Sequence, residues 1–76
     1  MRENYQELAN AIILQAVKDY RDALDILSKR DNNKTAKAEK RSIEYFFRSP
    51  WFSVLTNLNG TILIRQIREE FYENDS

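Results

Sequence analysis

An all-α single domain is predicted, and three observations carry the prediction. Apolar residues recur at helical spacing across most of the 76 residues. The chain has one Gly and one Pro, which leaves little turn chemistry for a multi-stranded sheet. That Pro, that Gly and the only Trp fall within a single stretch, Ser49-Pro50-Trp51-Phe52-Ser53-Val54-Leu55-Thr56-Asn57-Leu58-Asn59-Gly60, which reads as a turn, a short helix and a second turn. The expected architecture is one long N-terminal helix packed on a three-helix C-terminal unit, residues 1–76 forming one domain.

The first helix is expected over about Arg2–Lys29. Ile13, Val17, Tyr20, Leu24 and Leu27 follow 4-3-4-3 spacing, with Tyr5, Ala9, Ile12, Ala16 and Ala23 beside them on one wide arc. Lys18, Asp22, Asp25 and Lys29 occupy the other side. Leu8, Leu14 and Ile26 fall off the main stripe; they are either scattered surface residues or the contact for a second chain. Asp31-Asn32-Asn33 breaks the helix. Asn33 or Thr35 is expected to cap the second helix, Lys34–Arg48, whose inward face is Ala36, Ile43, Phe46 and Phe47. Ser49 then caps and Pro50 opens a third helix, about Pro50–Leu58, because the residue before Pro is driven out of the helical region. Asn59-Gly60 turns the chain without the alternating pattern a hairpin needs. A fourth helix over about Thr61–Glu73 buries Leu63, Ile64, Ile67 and Phe71. Its start, Thr61-Ile62-Leu63-Ile64, is β-prone locally.

Composition removes many chemistries. With no Cys and no His, disulfides, thiolate nucleophiles and most zinc, copper and iron sites are absent. A single Gly cannot build a glycine-rich phosphate loop. No calcium-loop pattern is present, so neither a metal nor another cofactor is expected. Ser and Thr lack a His base, and a non-enzymatic protein is the expectation. No apolar run approaches a membrane span, and residues 1–30 show no signal-peptide pattern. A cytoplasmic location is therefore expected, in keeping with the absence of Cys. A chain this short buries only about 60% of its unfolded surface. With disulfides and metals excluded, self-association, as a homodimer or higher, is the remaining staple.

Twelve basic and twelve acidic residues cancel, which argues against strong nonspecific DNA binding. The distribution is uneven, however. Lys34, Lys37, Arg41, Tyr45 and Arg48 share one face of the second helix at 3-4-4-3 spacing. Arg65, Arg68 and Tyr72 repeat the pattern on the fourth. Arg gives bidentate bonds to phosphate and Tyr a stacking surface. Arg41, Tyr45, Arg48, Arg65, Arg68 and Tyr72 are thus candidates for an anion or nucleotide-like ligand. The competing reading is a solvated face with Arg–Tyr stacking. Helices three and four also have the short Gly turn of a helix-turn-helix reader. Against it, Glu69, Glu70, Glu73 and Asp75 would repel phosphate at the end of helix four.

Phe46, Phe47, Trp51 and Phe52 form an aromatic cluster expected in the core, with an exposed Trp51 or Phe52 as the alternative, an interaction anchor. Leu14, Ile26, Phe47, Trp51 and Phe52 are the predicted core or interface anchors.

The run FFRSPWFSVLTNLNGTILIRQIREEF, Phe46 to Phe71, resembles the C-terminal half of small accessory proteins met in phages and prophages of Gram-positive bacteria. AIILQAVKDYRDAL, Ala11 to Leu24, is similar to their opening helix. The likeness covers about half of the chain, and no catalytic residues travel with it. It implies a protein acting by binding in the host cytoplasm, with either a host or defence protein or a signalling nucleotide as target. The alternative reading is a nucleic-acid-binding regulator that uses the Lys34–Arg48 face.

Overall fold

Periodic burial between Ala9 and Leu27 marks the longest element, α1 (Arg2–Lys29). At 1.5 Å per residue its 28 residues run about 42 Å, and the whole molecule is 43 Å long. The computed structural model describes the backbone of residues 2–75 and the side chains of residues 7–73. The predicted stripe is the buried one: Ala9, Ile13, Tyr20, Ala23 and Leu24 are buried, with Ala16, Val17 and Leu27 half-buried. Ile12 sits at the edge of that arc and stays exposed. Tyr5, expected beside the stripe, lies outside the described side chains.

The second helix, α2 (Lys34–Arg48), starts where the Asn33 side chain accepts the Ala36 N–H at 2.8 Å. That bond satisfies one of the donors a helix start leaves free. Ala36 and Phe47 are buried, and Ile43 and Phe46 half-buried. Ser49 closes α2 and opens α3 (Pro50–Leu55): its N–H reaches the Phe46 carbonyl, and its Oγ accepts the Phe52 N–H. Pro50 takes the first turn of α3, where its missing N–H costs nothing. The helix ends at Leu55, three residues before the expected Leu58. Thr56 adopts an extended conformation and its N–H bonds back to Phe52.

The last element, α4 (Gly60–Asp75), begins one residue before the expected Thr61 and runs past Glu73. Asn59 is its cap, with Oδ1 accepting the Ile62 N–H at 3.1 Å. Gly60 is buried against α2, and a methyl group there would overlap the Phe47 carbonyl. The glycine therefore serves close helix approach rather than a positive φ, which no described residue adopts. The β-prone Thr61–Ile64 segment is helical because Ile64 and Ile67 then reach the core while Leu63 and Phe71 flank it.

The α2 helix is the hub. It packs on α1, α3 and α4, and α1 also meets α4. All described residues outside turns are helical, and none is in a strand. The centre is aromatic. Phe47 and Phe52 meet edge to face at 5.4 Å, and Phe46 contacts both. Tyr20 of α1 meets Phe47 edge-on at 6.3 Å. Such pairs contribute about 0.5–1.5 kcal/mol each beyond the area they bury.

Candidate functional site

Three features stand out: a polar junction inside the helix bundle, an exposed ladder of cations, and an uncovered aromatic edge.

The junction joins α1, α2 and α4. Tyr20 is fully buried, so its phenol must find a partner within the protein. It donates to Glu44 Oε2 at 2.6 Å and accepts from Arg68 Nε at 2.9 Å. Arg68 Nη2 donates to the same Glu44 oxygen. Lys40, one turn before Glu44, reaches that oxygen at 2.9 Å. The Glu44 side chain is only 12% exposed. Burial alone pushes its carboxyl up, but hydrogen bonds from Tyr20, Lys40 and Arg68 outweigh burial and hold it down at about 2. Burial, and then the bond to Glu44, pushes the Tyr20 phenol up to about 12. The bond to Tyr20 raises the Arg68 guanidinium further, against its own desolvation and with Glu44 adding to the rise. At neutral pH the junction is thus a carboxylate satisfied by three donors, and among the described residues no buried side-chain polar atom lacks a partner.

This arrangement removes Arg68 from the predicted anion set. Its Nε and one Nη2 donor are engaged by Tyr20 and Glu44, and the adjacent Glu44 carboxylate already supplies its counter-charge. The other members point outward. Arg41, Tyr45 and Arg48 lie on the arc of α2 opposite its buried Ala36 and Phe47. Arg65 and Tyr72 are exposed on α4, and the Tyr72 ring stands edge-on to Phe71 at 5.4 Å. The sole hydrogen-bonded link between α2 and α4 among the described residues runs through Glu44. Arg41, Tyr45 and Arg48 thus belong to one helix and Arg65 and Tyr72 to another, with no hydrogen bond among these five in the described residues.

The cation ladder survives as predicted. Lys34, Lys37, Arg41 and Arg48 are exposed, and none forms an ion pair among the described residues. Tyr45 stands among them, 78% exposed.

The aromatic edge corrects the expected core. Phe46, Phe47 and Phe52 pack inward, but Trp51 is 56% exposed. The reason is helical phase. Phe52 and Leu55, three residues apart, form the buried face of α3. Trp51 and Val54, each one residue earlier, are turned by about 100° to the outside. Leu58 and Ile62 are also exposed beyond the turn. An open depression of about 580 Å³ borders this region, with Arg48, Ser49, Phe52, Leu58 and Thr61 in its wall. Leu14 is 68% exposed and Ile26 40%. Twelve residues of helix turn the two apart by about a third of a revolution, so one flat contact on α1 does not take both equally.

No helix is long and apolar enough to cross a membrane, and no group of potential metal ligands occurs among the described residues. No protein-family model, curated protein or solved structure matches the chain.

Proposed function

We propose that the protein is a non-enzymatic binding module of the phage-accessory kind, and that it inhibits a host or defence protein through the outer face of α3. The observation that carries the reading is Trp51. It is the chain's only Trp, and it lies more than half exposed beside Val54 and close in sequence to Leu58, while its neighbour Phe52 is buried. An exposed Trp beside other apolar groups has the character of an interface anchor. The buried Phe52 and Leu55 fix α3 on the core, so the helix that carries the ring is already held in place.

The test is capture from a bacterial lysate by the tagged chain, alongside Trp51→Ala and Val54→Asp. The expected result is a stoichiometric partner held by the parent and lost by both variants, each of which still melts near the parent. Equal capture by all three chains would remove the reading.

Self-association belongs to the same proposal. Leu14 and the α3 edge are the exposed apolar surfaces offered for it, and light scattering at high micromolar concentration tests it. A second reading, a nucleic-acid-binding regulator, is favoured by one observation: the Lys34–Arg48 face carries four exposed cations that form no ion pair among the described residues.

A further inference from the structure

Four cations of α2 without an ion pair among the described residues are grouped on one face, whereas the equally unpaired Lys18, Arg30 and Arg65 are spread over other parts of the molecule. Lys40, on the inner flank of the same helix, is paired with Glu44. Lys29 is paired with Asp25, and Arg21 with Glu70. Lys34, Lys37, Arg41 and Arg48 have no such partner among the described residues. The first turn of α2 carries no acid, although the positive end of a helix favours one. Lys34 and Lys37 therefore add to the positive potential of that end instead of cancelling it.

The geometry of this face narrows the ligand. The ladder covers fifteen residues, its ends roughly 21 Å apart along the helix. Lys34, Lys37 and Arg41 follow one another at about one-turn steps. Tyr45 fills the wider gap before Arg48, its ring more exposed than that of any other described Tyr. A row of cations with an aromatic ring among them suits a chain of phosphates that also carries planar bases.

Other polyanions fit less well. In a duplex the bases are paired and stacked inside, so an exposed Tyr45 ring would find no free base face to stack on. A membrane-surface helix must bury an apolar face in lipid, and the apolar face of α2, with Phe47 and Ala36, is already inside the protein.

We infer that the exposed Lys34–Lys37–Arg41–Tyr45–Arg48 face binds single-stranded nucleic acid, its four cations on successive phosphates and Tyr45 stacked on a base. The inference rests on the second reading above and deepens it. Contacts to four phosphates give a salt slope of about −3 for a single strand, or a loss of about 50-fold in affinity between about 50 and 200 mM salt. Loss of the stacking ring is expected to weaken binding about tenfold.

The experiment is fluorescence anisotropy of the full chain with a labelled oligothymidylate of about twelve nucleotides. A duplex of equal length and unlabelled polyglutamate as competitor complete the set. Arg41→Ala and Tyr45→Ala test the ladder, and Lys18→Ala, an exposed cation of α1, tests bare charge. Both ladder positions are solvent-exposed, so the variants are expected to fold. The expected result is binding with the stated salt slope, a slope reduced by about 0.7 in Arg41→Ala, tenfold weaker binding in Tyr45→Ala, and parent-like binding in Lys18→Ala. Equal binding of duplex and single strand, or an unchanged affinity in Tyr45→Ala, would overturn the single-strand assignment while the broader nucleic-acid reading stands. Binding to neither nucleic acid, or equal losses in Lys18→Ala and Arg41→Ala, would overturn both. Polyglutamate carries negative charge but no base on which Tyr45 could stack. If it instead competes as well as unlabelled oligothymidylate, the face is a generic polyanion surface and the inference fails.

Discussion

Tyr20→Phe isolates the polar junction from the packing around it. The ring stays, with its edge-on contact to Phe47, and only the hydroxyl is lost. That hydroxyl makes two bonds to charged groups, Glu44 at 2.6 Å and Arg68 at 2.9 Å. A hydrogen bond to a charged group is worth about 1.5–3 kcal/mol. Glu44 and Arg68 keep each other and Lys40, and the Arg68 side chain, 39% exposed, can turn donors to water. The net cost is therefore set near the value of one such bond, about 2 kcal/mol. For a domain of this size that lowers Tm by about 8–16 °C. The pH dependence follows from Glu44. Its carboxyl is held at about 2 in the fold against an ordinary 4.5. Between those values the unfolded chain binds more protons than the folded one, so the stability contributed by the carboxylate is complete above 4.5. It is lost as pH falls toward 2. Tyr20→Phe removes one of the bonds that depress this carboxyl, so the variant has less to lose over that window. Thermal melts followed by circular dichroism from pH 7 down to about 2 are expected to show the gap between parent and variant narrowing as acid is added. Equal melting at pH 7, or a gap that does not change with pH, would refute the account of the junction.

Further outcomes follow from the same contacts. Glu44→Gln leaves Arg68 and Lys40 without their carboxylate and should cost about 2–4 kcal/mol, below the range for fully buried pairs because the rim is partly open. A double-mutant cycle with Tyr20→Phe should give a coupling of about 0.5–3 kcal/mol in denaturant melts. Gly60→Ala gains helix propensity of about 1 kcal/mol but drives a methyl group into the Phe47 carbonyl. A lowered Tm is expected, and a raised one would show that α2 and α4 are less closely packed. Ser49→Ala loses the cap on the Phe52 N–H and should cost about 1 kcal/mol in a chemical melt. Trp51→Ala should cost less than about 2 kcal/mol, against about 3–5 for the buried Phe52→Ala; Trp emission of the parent should be that of a solvated indole, and a blue-shifted spectrum in a dilute monomer would contradict the exposed placement. Leu14→Asp should leave a monomer's Tm nearly unchanged while lowering the mass seen by light scattering.

Much of the fold was legible because its boundaries are set by local chemistry. Asn33 caps α2 and Ser49-Pro50 separates α2 from α3, each through a side chain or ring that acts within three residues of its own position. The end of α3 was less legible. Apolar Leu58 suggested a longer helix, but Thr56 is extended and its N–H closes the last turn on Phe52. The β-prone start of α4 was decided by burial: only a helical phase brings Ile64 and Ile67 to the core together.

The sites divide along the same line. Exposure of the α2 ladder could be read from one helix, since a residue opposite a buried stripe faces solvent. The placement of Trp51 depended on which of two adjacent aromatics α3 turns inward, and composition favours neither. The junction was missed because its members lie on three helices, and nothing in the spacing of α2 singles out Glu44. Yet part of it was announced by Tyr20. A phenol in the middle of an apolar stripe must meet a polar group when the stripe is buried. The partner had to come from a helix flank that borders the core, and Glu44, next to Ile43 and one turn before Phe47 and Arg48, lies on such a flank of α2. The consequence bears on function. The protein spends Lys40 and Arg68 inside the fold to hold Glu44 and leaves Lys34, Lys37, Arg41 and Arg48 uncompensated outside it. A chain neutral overall thus carries a row of four exposed cations on one helix face, placed there by their spacing along α2 rather than by an excess of basic residues.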